Sequence, residues 1–203
     1  VSIGRPRSRV KDALRLPALQ ALGELEKSRG TCYNDQVLGA DDFRQVLGHF
    51  ASGVTVVTTL DAEGRPAGLT ASAFSSVSLD PPLVLVCVAH TSQSYPAFHA
   101  HGKFAINVLG TDHEPVARRF ASTSSGAEKF SDTGYRPGAL GLPILADALA
   151  ELECTIVHAY PAGDHTIFVG RVEAAQCRGD AGLEPLLYYR GRFSRLHTPG
   201  EAR

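Results

Sequence analysis

From Phe43 the apolar positions fall at i, i+3, i+4 and i+7 (Phe43, Val46, Leu47, Phe50). That spacing predicts one buried stripe on an α-helix, with Asp41-Asp42 as its N-cap residues and Gly53 closing it. The period then changes. Val54-Thr55-Val56-Val57-Thr58-Thr59 is β-branched throughout, Asp61-Ala62-Glu63-Gly64 supplies a turn, and a second strand is predicted around 67–72. Leu83-Val84-Leu85-Val86-Cys87-Val88 is continuously apolar and reads as a central strand covered on both faces. Ser94 is placed to cap a short helix through His99, and residues 104–109 form a further strand. Thr111 or Asp112 caps a helix with Val116, Ala117 and Phe120 on one face. The Gly/Ser-rich stretch from Ser122 to Gly141 reads as a long loop holding Phe130 and Tyr135, the kind of segment that serves as a lid or binding loop.

The C-terminal third has the pattern of a long hairpin. Leu152, Cys154, Ile156 and His158 alternate on one arm, and His165, Ile167, Val169 and Arg171 on the other, across Gly163-Asp164. Leu186-Leu187-Tyr188-Tyr189 adds a last strand. Many short strands, mostly hairpin-linked, with a few helices give a mainly β class and favour a closed or split antiparallel barrel. Ahead of this domain, Leu14, Leu19, Leu22 and Leu25 suggest a short amphipathic helix ending near Gly30. The organisation expected is an N-terminal extension over 1–40, partly helical or flexible, one domain over 41–197 and a disordered tail over 198–203.

Between two of the apolar runs lies Gly68-Leu69-Thr70-Ala71-Ser72-Ala73-Phe74-Ser75-Ser76-Val77-Ser78, stopped by Asp80-Pro81-Pro82. A core strand would not carry so many hydroxyls, because each one buried without a partner costs about 1–3 kcal/mol. Hydroxyls and tiny side chains suit a surface lying close to a flat polar ligand and its phosphate; the plainer reading is a Ser/Thr-rich edge strand or turn.

Composition narrows the partners. With 203 residues, 43% hydrophobic and 20% charged, and a net charge of −1, the chain fits a globular protein without an overall electrostatic case for nucleic acid. Residues 1–30 carry seven Lys/Arg against three acids, which reads as a solvated tail. No apolar run approaches the roughly 20 residues that cross a bilayer, and the N-terminus lacks the apolar core of a secretory signal. The four cysteines (Cys32, Cys87, Cys154, Cys177) are scattered, so a cytoplasmic protein with reduced thiols is expected, without a membrane partner. No metal site is expected, since His99 and His101 have no carboxylate or thiol to complete a set. No dinucleotide fingerprint, P-loop or nucleophile elbow is present. Asp164 and His165, adjacent on a strand, should point their side chains apart.

The order of Ser52-Gly53-Val54, the 68–82 segment, Phe104-Ala105-Ile106-Asn107-Val108-Leu109, Phe120-Ala121, Lys129-Phe130 and Gly163-Asp164-His165 resembles the short-chain flavin reductases that serve two-component flavin-dependent monooxygenases. The resemblance runs from Phe43 to about Phe193. It implies a split β-barrel, a homodimer with flavin near the subunit interface, and reduction of FAD or FMN by NADH or NADPH for delivery to a partner monooxygenase. By the same resemblance Thr70, Ala71 and Ser72 line the flavin ring, and Ser75 and Ser76 continue toward the ribityl chain. Ala89, Ser92 and Ser94 approach the ribityl and phosphate groups. Phe130 and His165 stand where nicotinamide stacks, with His165 the residue assigned to the reaction; Arg192 and Phe193 match only loosely. The alternatives are an oxidase of a phosphorylated amine, which would need a basic cluster that residues 66–110 lack, and a non-enzymatic flavin- or haem-binding carrier or sensor.

Overall fold

The computed structural model describes residues 38–179 and 184–197. The expected helix around Leu14–Leu25, the rest of the N-terminal extension before Leu38 and the tail over 198–203 lie outside the described residues. Three helices and a short 3-10 turn punctuate the strands that follow the first helix. The order is α1 (Ala40–Leu47), β1 (Ser52–Gly53), β2 (Thr55–Leu60), β3 (Pro66–Ala71), β4 (Phe74–Leu79), β5 (Pro82–Ala89), α2 (Tyr95–His101) and β6 (Lys103–Val108). Then come the 3-10 turn Thr111–His113, α3 (Glu114–Ala121), α4 (Gly126–Phe130), β7 (Tyr135–Pro137), β8 (Pro143–Leu145), β9 (Ala150–Ala162), β10 (His165–Cys177), β11 (Leu187–Tyr189) and β12 (Arg192–Ser194).

The main sheet has seven strands in the order β3-β2-β6-β9-β10-β5-β4, every pair antiparallel. Its two edges, β3 and β4, are consecutive in the chain and separated only by Ser72 and Ala73. A sheet whose opposite edges are tethered by so short a link must curl until they approach. The result is an antiparallel barrel split along the β3–β4 seam, the mainly β class expected from the pattern. The long hairpin is β9–β10, joined by Gly163-Asp164 with Gly163 at φ +62°.

Two cores flank β2. Val57 faces the barrel interior with Val86, Phe104, Ile106 and Phe168; Val54 and Val56 face outward onto Ala117 and Phe120 of α3 and Phe130 of α4. α2 closes the barrel by inserting Phe98, stacked on Phe168 with centroids 5.3 Å apart. The threonines of β2 are buried because each hydroxyl donates to a carbonyl, Thr55 Oγ1 to Ala71 (2.8 Å) and Thr59 Oγ1 to Lys103 (2.7 Å). Gly170 of β10 lies under Phe104, where a Cβ would come within 2.6 Å of the ring. Cys154 is buried and its thiol pushed up to about 12, by burial first and then by the nearby Glu173 and Glu153 charges. Burial likewise raises Cys87. Both behave as small apolar groups.

Several expectations need correction. The helix starts at Ala40 and ends at Leu47, and Gly53 belongs to β1. Its apolar stripe is not buried: Phe43, Val46, Leu47 and Phe50 are all exposed, Phe50 by 80%. Periodicity shows that a helix has an apolar side and not what covers it. β5 is covered on one face only, with Val84, Val86 and Val88 buried and Leu83, Leu85 and Cys87 half-buried. It is the penultimate strand, and its outer face borders a groove. Ser94 stands at the N-cap of α2 but makes no capping bond, and α3 follows the 3-10 turn with His113, not Thr111 or Asp112, at its N-cap.

The 122–141 stretch is not simply a loop. It contains α4 and β7, and β7 pairs with β8. The start of α4 is a capping box: Glu128 N donates to Ser125 Oγ (3.3 Å), and Ser125 N donates to Glu128 Oε2 (2.8 Å). That hydrogen bond holds the Glu128 carboxyl below its usual range. Ser125→Ala should therefore destabilise the protein by about 1 kcal/mol, read from the urea midpoint; an unchanged midpoint would mean that α4 is held by packing alone.

Candidate active site

The β3–β4 seam does not close flush. Beside it lies an open groove of about 380 Å³. Its walls are residues 69–73 of the seam, Cys87 and Ala89 on the outer face of β5, the loop 91–93, the end of α3 with residues 120–123, Lys129 of α4 and His165 at the head of β10. Register explains the juxtaposition. His165 pairs directly with Ala89, so both side chains leave the same face. Alanines at 71, 73 and 89 keep that surface low where larger residues would fill it. Cys87 N donates to Ala73 O (3.1 Å) and ties the seam to β5.

The far wall is braced by side chains. Gly68 lets α3 lie against β3, since a Cβ there would come within 2.9 Å of the Phe120 ring. Thr70 Oγ1 donates to Ala117 O (2.6 Å), fixing β3 to α3, and Gln93 Nε2 donates to Thr123 O (2.6 Å) across the groove's mouth. The Gly68 carbonyl accepts twice, from Ser94 Oγ (2.8 Å) and from Lys129 Nζ (3.3 Å). Lys129 is 97% buried, at 3% exposure. That long contact is the ammonium's one hydrogen bond among the described residues, although an ammonium has three donors. Burial lowers its pKa. No carboxylate lines the groove among the described residues, so the lysine faces a space suited to an anion.

At the groove's other end, Asp164 Oδ1 accepts from His165 Nδ1 at 2.7 Å. The two side chains do not diverge, because Asp164 lies in the turn rather than on the strand and its carboxylate folds back. The hydrogen bond from His165 holds Asp164 below its ordinary pKa. It also favours the imidazole tautomer with the proton on Nδ1, leaving Nε2 as an acceptor.

Residues 47–197 match the family model described as a flavin reductase like domain. The chain belongs to the flavin reductase-like family. It is an oxidoreductase that uses a reduced nicotinamide to reduce flavin. A probable flavin reductase of Rhizobium meliloti is 43% identical over 159 residues, covering 78% of this chain but 50% of that protein. The HsaB reductase subunit of a Mycobacterium tuberculosis flavin-dependent monooxygenase is 39% identical over 152 residues, covering 75% of this chain and 80% of that one. The solved NADH:FAD oxidoreductase SgcE6 of Streptomyces globisporus superposes with a TM-score of 0.73 at 39% identity, over 80% of this chain and 98% of that chain.

In this flavin reductase, six of the residues expected at the site line the groove together: Thr70, Ala71, Ser72, Ala89, Ser92 and His165. Ser75 and Ser76 lie elsewhere. They pair with Leu85 and Val84 as β4 runs away along β5, and Ser75 Oγ donates to Ser76 O (3.1 Å). Ser94 and Phe130 border a neighbouring cavity instead. Ser94 is spent on the Gly68 carbonyl, and Phe130 is buried edge-on between Phe120 (4.9 Å) and Tyr135 (5.1 Å). Arg192 and Phe193 fall outside the groove; Phe193 lies under Arg118, 4.9 Å from its centroid. Lys129 and Gln93 are among the groove residues that sequence reasoning left out of the site. The signal for the first was its place in the Lys129-Phe130 pair of the resemblance, beside a Ser-x-x-Glu spacing that marks the start of α4.

The groove fits a flavin on its own terms. Its volume lies within the range of small-molecule sites, roughly 300–1,000 Å³. The low alanine surface accepts a flat ring, exposed Ser72 and half-buried Ser92 offer hydroxyls, and Lys129 supplies the charge that a phosphate requires.

Proposed function

We propose that this groove holds the flavin, that NADH delivers to it there, and that the product leaves for a separate monooxygenase component. When bound, the flavin supplies an acceptor of two electrons and the nicotinamide a hydride donor. The protein's task is to position both and to shed water. Ala71 and Ala73 let the ring approach the seam backbone, while Thr70, anchored to α3, keeps that backbone in place. Ser72 and Ser92 hydrogen-bond the ring edge and ribityl chain, and Lys129 holds the phosphate. His165, fixed by Asp164, offers Nε2 to the carboxamide of the nicotinamide; it need not donate a proton.

The observation that carries this reading is the convergence of Lys129 and His165, from α4 and β10, on one groove built along the barrel seam. NADH is favoured as donor and FAD as acceptor by the similarity to SgcE6, an NADH:FAD oxidoreductase, and a monooxygenase partner by the similarity to HsaB, a monooxygenase's reductase subunit. The groove is open to the surface, as release to another protein requires. The exposed stripe of α1, with Val77 (49%) and Leu79 (94%) exposed on edge strand β4, is apolar surface that a homodimer would cover. A domain spanning 41–197 with a separate extension, a subclass acting on flavin as substrate, and a cytoplasmic setting complete the proposal. Among the described residues no helix is long and apolar enough to cross a membrane.

Mixed anaerobically with NADH and excess flavin, the protein should bleach the flavin absorbance; in air, NADH consumption should be catalytic and dependent on added flavin. Flavin retained through gel filtration, with no flavin-dependent NADH oxidation, would instead identify a carrier.

A further inference from the structure

Directly behind His165, on the inner face of β10, stands a polar side chain that the groove does not use. Successive strand residues leave opposite faces, so Thr166 points into the end of the barrel, 1% exposed, paired with buried Val88. The next inward residue of β10 is Phe168, which packs among Val86, Val88 and Phe98. A valine would suit such surroundings, and a buried hydroxyl is costly unless it is bonded.

Thr166 is bonded twice. Its Oγ1 meets His90 Nε2 at 2.9 Å and the Tyr95 hydroxyl at 2.9 Å, and that hydroxyl meets His99 Nε2 at 3.1 Å. The rings also touch, with centroids 4.9 Å apart for His90 and Tyr95 and 5.2 Å for Tyr95 and His99. Three links join the four side chains, and each link takes one hydrogen. Thr166 and Tyr95 supply one each. The third comes from an imidazole, so the network is complete when one of His90 and His99 donates from Nε2 and the other accepts there. Bonds in such a series polarise and strengthen one another.

The network ties together two walls of the groove. His90 follows β5, and Tyr95 and His99 belong to α2. His90 N donates to Asp164 O (2.9 Å), in the turn whose carboxylate orients His165. That carboxylate is held low first by the hydrogen bond from His165 and, in smaller part, by His90, so the two imidazoles flank it. In the other direction Ser92 N donates to Ala89 O and Tyr95 N to Ser92 O, both at 3.0 Å. The Ser92 loop is therefore strung between the residues that Thr166 holds.

We infer that Thr166 is a positioning residue for hydride transfer: by clamping His90 and Tyr95 to the head of β10 it fixes the separation between His165 and Ser92, and with it that between nicotinamide and flavin. The inference rests on the proposal that both meet in this groove. Thr166 itself faces away from it. Transfer needs reacting atoms held about 3–3.5 Å apart, and the side chains that support a site set that geometry. A loosened clamp leaves each substrate its own contacts, so the loss falls on the rate of transfer and not on affinity.

The test is anaerobic single-turnover reduction of FAD by NADH. Thr166→Val keeps the side chain's shape without its hydroxyl. It should slow transfer about tenfold, with the flavin dissociation constant and the KM for NADH within about threefold of wild type, and the urea midpoint should not fall. Thr166→Ser should recover most of the rate. Tyr95→Phe removes the middle of the network and should slow transfer in the same way, without adding to the effect of Thr166→Val; it decides the matter by the same criteria if the valine variant does not fold. In the protein without flavin or NADH, nitrogen NMR at alkaline pH should show one of His90 and His99 protonated on Nδ1 and the other on Nε2. A wild-type rate in Thr166→Val, no recovery in Thr166→Ser, losses confined to affinity, or one tautomer shared by both imidazoles would each overturn the clamp and leave the groove reading standing. Wild-type protein that binds flavin but takes no electrons from NADH would overturn both.

Discussion

Lys129→Met should weaken FMN and FAD binding alike, by about 10- to 100-fold, while leaving the protein at least as stable as wild type. A hydrogen bond to a charged group contributes about 1.5–3 kcal/mol, and the phosphate proposed here would lose its one buried cation. The stability half of the expectation follows from the empty protein. Lys129 is buried and its ammonium makes a single hydrogen bond among the described residues, 3.3 Å to Gly68 O, so its charge is poorly compensated. A methionine of similar length removes that cost, and the gain should be on the order of 1 kcal/mol. Alkaline pH provides an independent readout. The amine titrates near 10.5 in the unfolded chain and lower in the fold because burial disfavours the charged form. Between those two values the unfolded chain binds the extra proton, so wild-type stability rises with pH across the window. Flavin affinity falls across the same window as the ammonium is lost. In Lys129→Met both trends should flatten. Undiminished flavin affinity in the variant would remove the lysine from the site, and a large loss of stability would show that it serves as a core strut.

That lysine illustrates where sequence stops being legible. The strands were readable because their signals are local. The β-branched run of β2 and the alternation of β9 and β10 each state their own conformation. The site residues came from the family resemblance and not from local pattern, and the curl of the sheet is what brings Thr70, Ala71, Ser72, Ala89, Ser92 and His165 to one groove. Burial of Lys129 is decided by how α4 packs on β3, a contact between segments 61 residues apart. Ser75 and Ser76, which the resemblance also implies, lie beyond the groove lining because the seam turns at Ser72-Ala73 and β4 runs along β5. The Phe43 stripe shows the converse limit: a helix can announce an apolar face whose cover is not part of the described chain. Asp164 and His165 meet because strand alternation does not extend across a turn, and Asp164 lies before the first residue of β10.

His165→Ala should raise the KM for NADH more than tenfold while leaving the flavin dissociation constant unchanged. The side chain stands at the groove's end opposite Lys129, level with Ala89, and is 43% exposed, so its removal opens no core cavity. Its orientation is set by the 2.7 Å hydrogen bond to Asp164, and the acceptor that this leaves, Nε2, matches the donor of a carboxamide. A tenfold change corresponds to about 1.4 kcal/mol, within reach of one hydrogen bond and the ring's contact surface. Two companions separate contact from scaffolding. His165→Gln keeps an acceptor and should recover part of the loss. Asp164→Asn should raise the KM by only a few-fold, because the imidazole remains but its tautomer is no longer favoured. The effect belongs in KM rather than kcat, since transfer to flavin requires no acid from the protein. Were kcat to fall with the KM unchanged, His165 would be acting on the reacting centre rather than on the nicotinamide's carboxamide. Steady-state constants unchanged in His165→Ala would place the nicotinamide elsewhere in the groove.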